Sequence, residues 1–77
     1  MVKEEKKKIK EKLFNLGEKI KEDNCLKCLT KVEREIICYR YADKMEWEKI
    51  ANKVNYSKMQ CYRINDRAFE KLKEVLG

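Results

Sequence analysis

Trp47-Glu48-Lys49-Ile50-Ala51-Asn52-Lys53-Val54-Asn55-Tyr56-Ser57-Lys58-Met59-Gln60-Cys61-Tyr62-Arg63-Ile64 is the stretch on which the fold of this chain turns. Trp47, Ile50, Ala51 and Val54 recur at helical spacing, which predicts a short helix over about residues 46–53. Asn55 then falls where a left-handed residue is needed, a conformation that Asn tolerates better than most. Ser57 and Gln60 have the spacing of a capping box, so a fresh helix starts there. Two helices joined by a tight turn form a helix-turn-helix only if certain positions are small or apolar. Ala51 falls at the close contact between the helices. Ile50, Val54 and Tyr56 fall at inward positions around the turn, and Cys61 and Ile64 on the inner face of the second helix. Every one of these positions holds an acceptable residue. The predicted core of the unit is Trp47, Ile50, Ala51, Val54, Cys61, Ile64 and Ala68.

Outward from this unit, the second helix continues through Ala68, Leu72 and Val75, all on one stripe with Cys61 and Ile64. Upstream, Thr30 and Glu33 form another capping box, and a helix over about 31–41 would turn Val32, Ile36, Tyr39 and Ile37 inward. Asp43-Lys44 marks a turn. Residues 23–29 read as a connection. Residues 3–23 read as an N-terminal helix with Ile9, Leu13, Leu16 and Ile20 as one apolar stripe. That stripe either packs on the rest of the domain or forms a seam between two copies. The expectation is therefore an all-α, four-helix domain. Residues 25–77 supply a three-helix helix-turn-helix core, and residues 1–24 an added amphipathic helix for packing or dimerisation.

Composition agrees with helices and excludes other classes. The chain has 77 residues, no proline, two glycines and no histidine. So short a chain holds a single small core. Lack of histidine removes the commonest general base and metal ligand, and two glycines leave no phosphate-cradling loop. No acid pair, activated nucleophile or phosphate loop is visible, so neither enzyme activity, a catalytic residue nor a cofactor is expected. No run of about 18 apolar residues exists to cross a membrane. The N-terminal residues lack the apolar core of a signal peptide, so a cytoplasmic location is expected. Cys25 and Cys28 have a C-x-x-C spacing that suits zinc or thiol exchange. Cys38 and Cys61 are expected on inward faces, where small apolar cysteines are common. Metal-free cysteines are the reading, with zinc at Cys25 and Cys28 the alternative.

Charge points to the partner. The net charge is +6. From Lys49 to Asn65 there are four cations (Lys49, Lys53, Lys58 and Arg63) and no acid. At the density of the whole chain, 14 acids in 77 residues, such a 17-residue window would hold about three by simple proportion. A carboxylate facing a groove would repel phosphate. The helical phase after Ser57 turns Lys58, Met59, Gln60, Arg63 and Arg67 toward the bases of double-stranded DNA. Gln pairs in a bidentate way with adenine and Arg with guanine, and Met59 can touch a thymine methyl. Lys49, Lys53, Ser57, Tyr62 and Lys71 are assigned to the sugar–phosphate backbone, with stacking inside the domain the alternative for Tyr62. Asp66 departs from this basic face and is expected to orient Arg63 or Arg67.

These residues resemble region 4 of the sigma-70 factors. Leu29-Thr30-Lys31-Val32-Glu33-Arg34-Glu35-Ile36 through Tyr41 is similar to its opening helix. Trp47 through Val54 is similar to its W-E-E-I-A helix, and Ser57 through Leu72 to its recognition helix. The Asn55-Tyr56-Ser57-Lys58-Met59-Gln60-Cys61-Tyr62-Arg63-Ile64 segment resembles small phage-encoded regulators with a sigma-like helix-turn-helix. The resemblance covers about residues 29–76. It implies a DNA-binding domain acting in transcription, with promoter contacts at Lys58, Gln60, Arg63 and Arg67. Glu46 stands where the family often has a Ser or Thr cap, and Cys61 replaces Val or Ile. The other sigma regions have no counterpart, so a regulator is expected rather than a complete sigma factor. The alternative is an interaction module that binds RNA polymerase or another regulator without reading DNA.

Overall fold

The computed structural model describes residues 3–22 and 24–76, with the side chains of Asn24, Cys25 and Leu76 outside the description. Helix α1 spans Lys3–Leu16. It stops well short of residue 23 because Gly17 takes a left-handed φ of +54°, which closes an α-helix and suits glycine. The chain continues in two 3₁₀ segments, Gly17–Glu22 and Asn24–Cys28.

Helix α2, Lys31–Ile37, starts at a complete capping box. The Thr30 N–H donates to Glu33 Oε1 (2.8 Å) and the Glu33 N–H donates to Thr30 Oγ1 (3.4 Å). The helix then widens without a break into a π-helical segment, Cys38–Ala42, closed by the Asp43 N–H donating to the Cys38 carbonyl at 3.0 Å. The wider turn carries Tyr41 and Ala42 into the interior, while Tyr39, expected inward, is half-buried. Periodicity at 3.6 residues per turn cannot anticipate such a phase change. Helix α3 spans Trp47–Val54, and α4 spans Lys58–Leu76.

Two adjoining cores result. The larger gathers Ile9, Leu13 and Ile20 with Leu26, Leu29, Ile37, Tyr41, Ala42, Ala68, Phe69 and Leu72. Tyr41 is its pivot. Its ring meets Phe14 edge-on at 4.9 Å and Phe69 at 5.7 Å, and its hydroxyl donates to Asn65 Oδ1 at 3.2 Å. Burial pushes the Tyr41 phenol up to about 12. The smaller core gathers Ile36, Ile50, Ala51 and Cys61, with Val32, Trp47, Val54 and Ile64 against it.

The N-terminal stripe is thus consumed inside the chain. Ile9, Leu13 and Ile20 are buried and Leu16 is half-buried, so the stripe at Ile9, Leu13, Leu16 and Ile20 packs mainly on the rest of the domain instead of standing open as a seam. The stripe on α4 shifts too. Val75 is 53% exposed, whereas Asn65 and Phe69, absent from the expected stripe, are buried. Among the described residues no helix is long and apolar enough to cross a membrane.

Candidate nucleic-acid interface

Helices α3 and α4 meet across the turn that the sequence predicts. Asn55 holds φ +60° and ψ +37°, and the Tyr56 N–H donates to the Ala51 carbonyl at 3.1 Å. Ala51 is 8% exposed at the close approach, with Ile50 and Cys61 fully buried beside it. Val54 and Ile64 are half-buried. Tyr56 departs from expectation. It is 40% exposed, because the chain is already leaving the core to form the next cap. Ala68 is fully buried, but in the larger core with α1 rather than in the α3–α4 core.

Aromatic and cationic groups brace the start of α3, where Glu46 makes no side-chain cap. Trp47 meets Tyr62 edge-on at 5.0 Å. The Arg40 guanidinium lies over the Trp47 ring at 5.2 Å and donates through Nη1 to the Met45 carbonyl at 2.9 Å. Such stacking locks a ring at an otherwise uncapped helix start. Tyr62 is therefore fixed by a ring contact while remaining 42% exposed.

The expected base-reading residues divide into two groups. Lys58, Met59, Arg63 and Arg67 are exposed on α4, with Met59 at 61%. Lys58, Arg63 and Arg67 form no ion pair with any described residue. Gln60 is different, because its side chain is already engaged. Its Oε1 accepts from the Ser57 N–H at 3.1 Å, and its own N–H donates to Ser57 Oγ at 3.1 Å. Bidentate adenine pairing needs that same Oε1 as acceptor. Gln60 and Ser57 are thus the α4 cap first, and base reading by Gln60 would compete with it for Oε1.

The backbone-contact group divides as well. Lys49 and Lys53 are exposed, with Lys53 Nζ 5.5 Å from the centre of the Tyr39 ring. Lys71 is already engaged by an acid. Its Nζ donates to Glu33 Oε1 at 2.7 Å, across α2 and α4, and Glu33 is 2% exposed. Burial pushes the Glu33 carboxyl up, but Lys71 and Thr30 together outweigh it and hold the pKa below its ordinary value. Asp66 orients neither Arg63 nor Arg67. It pairs with Lys6 of α1 at 3.2 Å.

The exposed ridge of α4 runs between two grooves. One, of about 440 Å³, is lined by Val32, Glu33, Tyr56, Gln60, Arg63, Ile64, Arg67 and Lys71, among others. The other, of about 310 Å³, lies toward α1 and is lined by Lys3, Lys6, Lys7 and Lys10 with Arg40, Tyr41, Trp47, Asn65, Asp66 and Phe69. The lysines of this second groove and the Glu33–Lys71 pair have no place in the sequence reading. The signal for the lysines was present as i, i+3, i+4, i+7 spacing. The Glu33–Lys71 pair is 38 residues apart in the chain and leaves no local trace.

Among the described residues no group of three or more His, Cys, Asp or Glu side chains could hold a metal. Cys28 is exposed, Cys38 half-buried and Cys61 buried. The Cys25 side chain, half of the zinc alternative, lies outside the described residues. Burial raises the thiol pKa of Cys61 and, as the leading cause, that of Cys38.

Fold and site together define an all-α domain in which Lys58, Arg63 and Arg67, with no ion-pair partner among the described residues, stand exposed on the helix that follows a tight inter-helix turn. Residues 1–74 match the family described as "Protein of unknown function (DUF722)", and the chain belongs to that family. No curated protein and no solved structure gives a significant match.

Proposed function

We propose that this protein is a sequence-specific DNA-binding transcriptional regulator that reads the major groove with α4. One observation carries this. Lys6, Lys21, Lys71 and Lys73 each pair with an acid, whereas Lys58 at the start of α4 and Arg63 and Arg67 further along it are exposed and pair with no described acid. Exposed cations without an acid partner are free to pair with the phosphates of a polyanion. The acid-free window from Lys49 to Asn65 and the sigma-like turn support the same reading. A helix presenting Arg side chains fits the width of the major groove, where Arg reads guanine. The reading places the protein with its DNA in the cytoplasm.

Gel-shift titration at several salt concentrations tests this. Arg63→Ala should cost about 1–3 kcal/mol and relax discrimination between sequences. Lys53→Ala should weaken all sequences alike and lower the salt slope by about one unit. Binding that ignores salt and survives both changes overturns the proposal, and co-purification with RNA polymerase without any retarded DNA band points to the interaction-module alternative.

A further inference from the structure

The groove between α1 and α4 carries a feature that the recognition helix does not use. Lys3, Lys6, Lys7 and Lys10 line it together, at the spacing that places four side chains on one helix face. The acids of α1 lie off this face. Glu4 and Glu11 are exposed and do not line the groove, and Glu5 pairs with Lys73 at 2.9 Å. The one acid lining the groove, Asp66, is neutralised by Lys6. Lys3, Lys7 and Lys10 are exposed and pair with no described residue. Three charges with no ion-pair partner among the described residues therefore stand in a row about 10 Å long.

The position of the row decides its use. A helix seated in the major groove has a sugar–phosphate strand on either side of it. On α4, Arg67 lies toward the Val32 groove, while Asn65, Asp66 and Phe69 face the lysine row. We infer that Lys3, Lys7 and Lys10 of α1 form a second, sequence-independent contact with the phosphates flanking the groove that α4 reads. This inference rests on the DNA-binding reading above. The row is long enough to meet about two or three phosphates of one strand, whose charges recur every ~3.4 Å along the duplex axis. Lys6 acts differently. By pairing with Asp66 it ties α1 to α4 and neutralises the carboxylate that lines the groove. The added helix thus widens the footprint of a recognition unit that is small by itself.

The test uses the full chain with Lys3, Lys7 and Lys10 changed together to Gln, and separately to Arg. Probes are a duplex selected from random DNA and a scrambled duplex of equal length. The Gln variant should bind both duplexes about tenfold or more weakly near physiological salt, with a salt slope lower by about two to three units. The ratio between the two duplexes and the thermal melt should match the parent, and the Arg variant should bind like the parent. If the Gln variant keeps the parental slope while Arg63→Ala still loses discrimination, the lysine row is idle and the DNA-binding reading stands. If the Arg variant loses binding as the Gln variant does, charge is not the cause and the inference fails. If the parent binds neither duplex at any salt, both proposals fall.

Discussion

Glu33 shows how much one residue can carry. Its backbone N–H and its carboxylate complete the α2 cap, and the same carboxylate receives Lys71 from α4. The folded pKa of Glu33 lies below its ordinary value. Its ionised form therefore stabilises the fold above the ordinary glutamate range, and this contribution drains away as pH falls through the lowered folded value. Glu33→Gln should cost about 1–3 kcal/mol at neutral pH, the range for losing a hydrogen bond to a charged group. As pH falls through the lowered folded value the difference between the two proteins should shrink. Thermal melts from pH 7 to pH 3 check this, and a constant difference across that range contradicts it.

At the scale of elements, caps and breaks explain where each helix begins and ends. Gly17 ends α1 and Asn55 ends α3, both with positive φ. Two reciprocal side-chain boxes start α2 and α4. The α4 box makes stability and DNA binding separable at Gln60. Gln60→Glu keeps the reciprocal bond and adds a negative charge at a helix N-terminus, worth about 0.3–1 kcal/mol. The same carboxylate faces phosphate, so binding should weaken. A higher melting temperature together with a weaker gel shift is the expected pair of results. Loss of both would mean that the cap tolerates only an amide.

At the scale of the whole molecule, α1 is part of the fold rather than an appendage. Leu13 is fully buried among α1 and α4 residues. Leu13→Ala should cost about 2–5 kcal/mol through lost burial and a residual cavity, a large share of the roughly 5–15 kcal/mol that holds a domain together. Leu13→Glu should unfold the chain outright, and circular dichroism would show both effects. A dimer-seam residue would instead change the mass seen by light scattering while leaving helicity intact.

Much of this protein is legible in its sequence. The four helices, both capping boxes, the left-handed Asn55 and the small Ala51 contact all follow from local chemistry, because a cap or a turn involves residues three or four apart. The exposed cations at Arg63 and Arg67 follow from helical phase, and the exposure of Lys58 from its place at the start of α4. Tertiary structure decided the rest. It buried Ile9, Leu13 and Ile20 within one chain, widened α2 so that Tyr41 entered the core, assigned Lys71 to Glu33 and Asp66 to Lys6, and brought the α1 lysines beside α4. Each of these outcomes depends on which distant side chain arrives as partner. A lysine on a helix face reads the same whether it meets solvent, a buried carboxylate or a phosphate, and only packing selects among them.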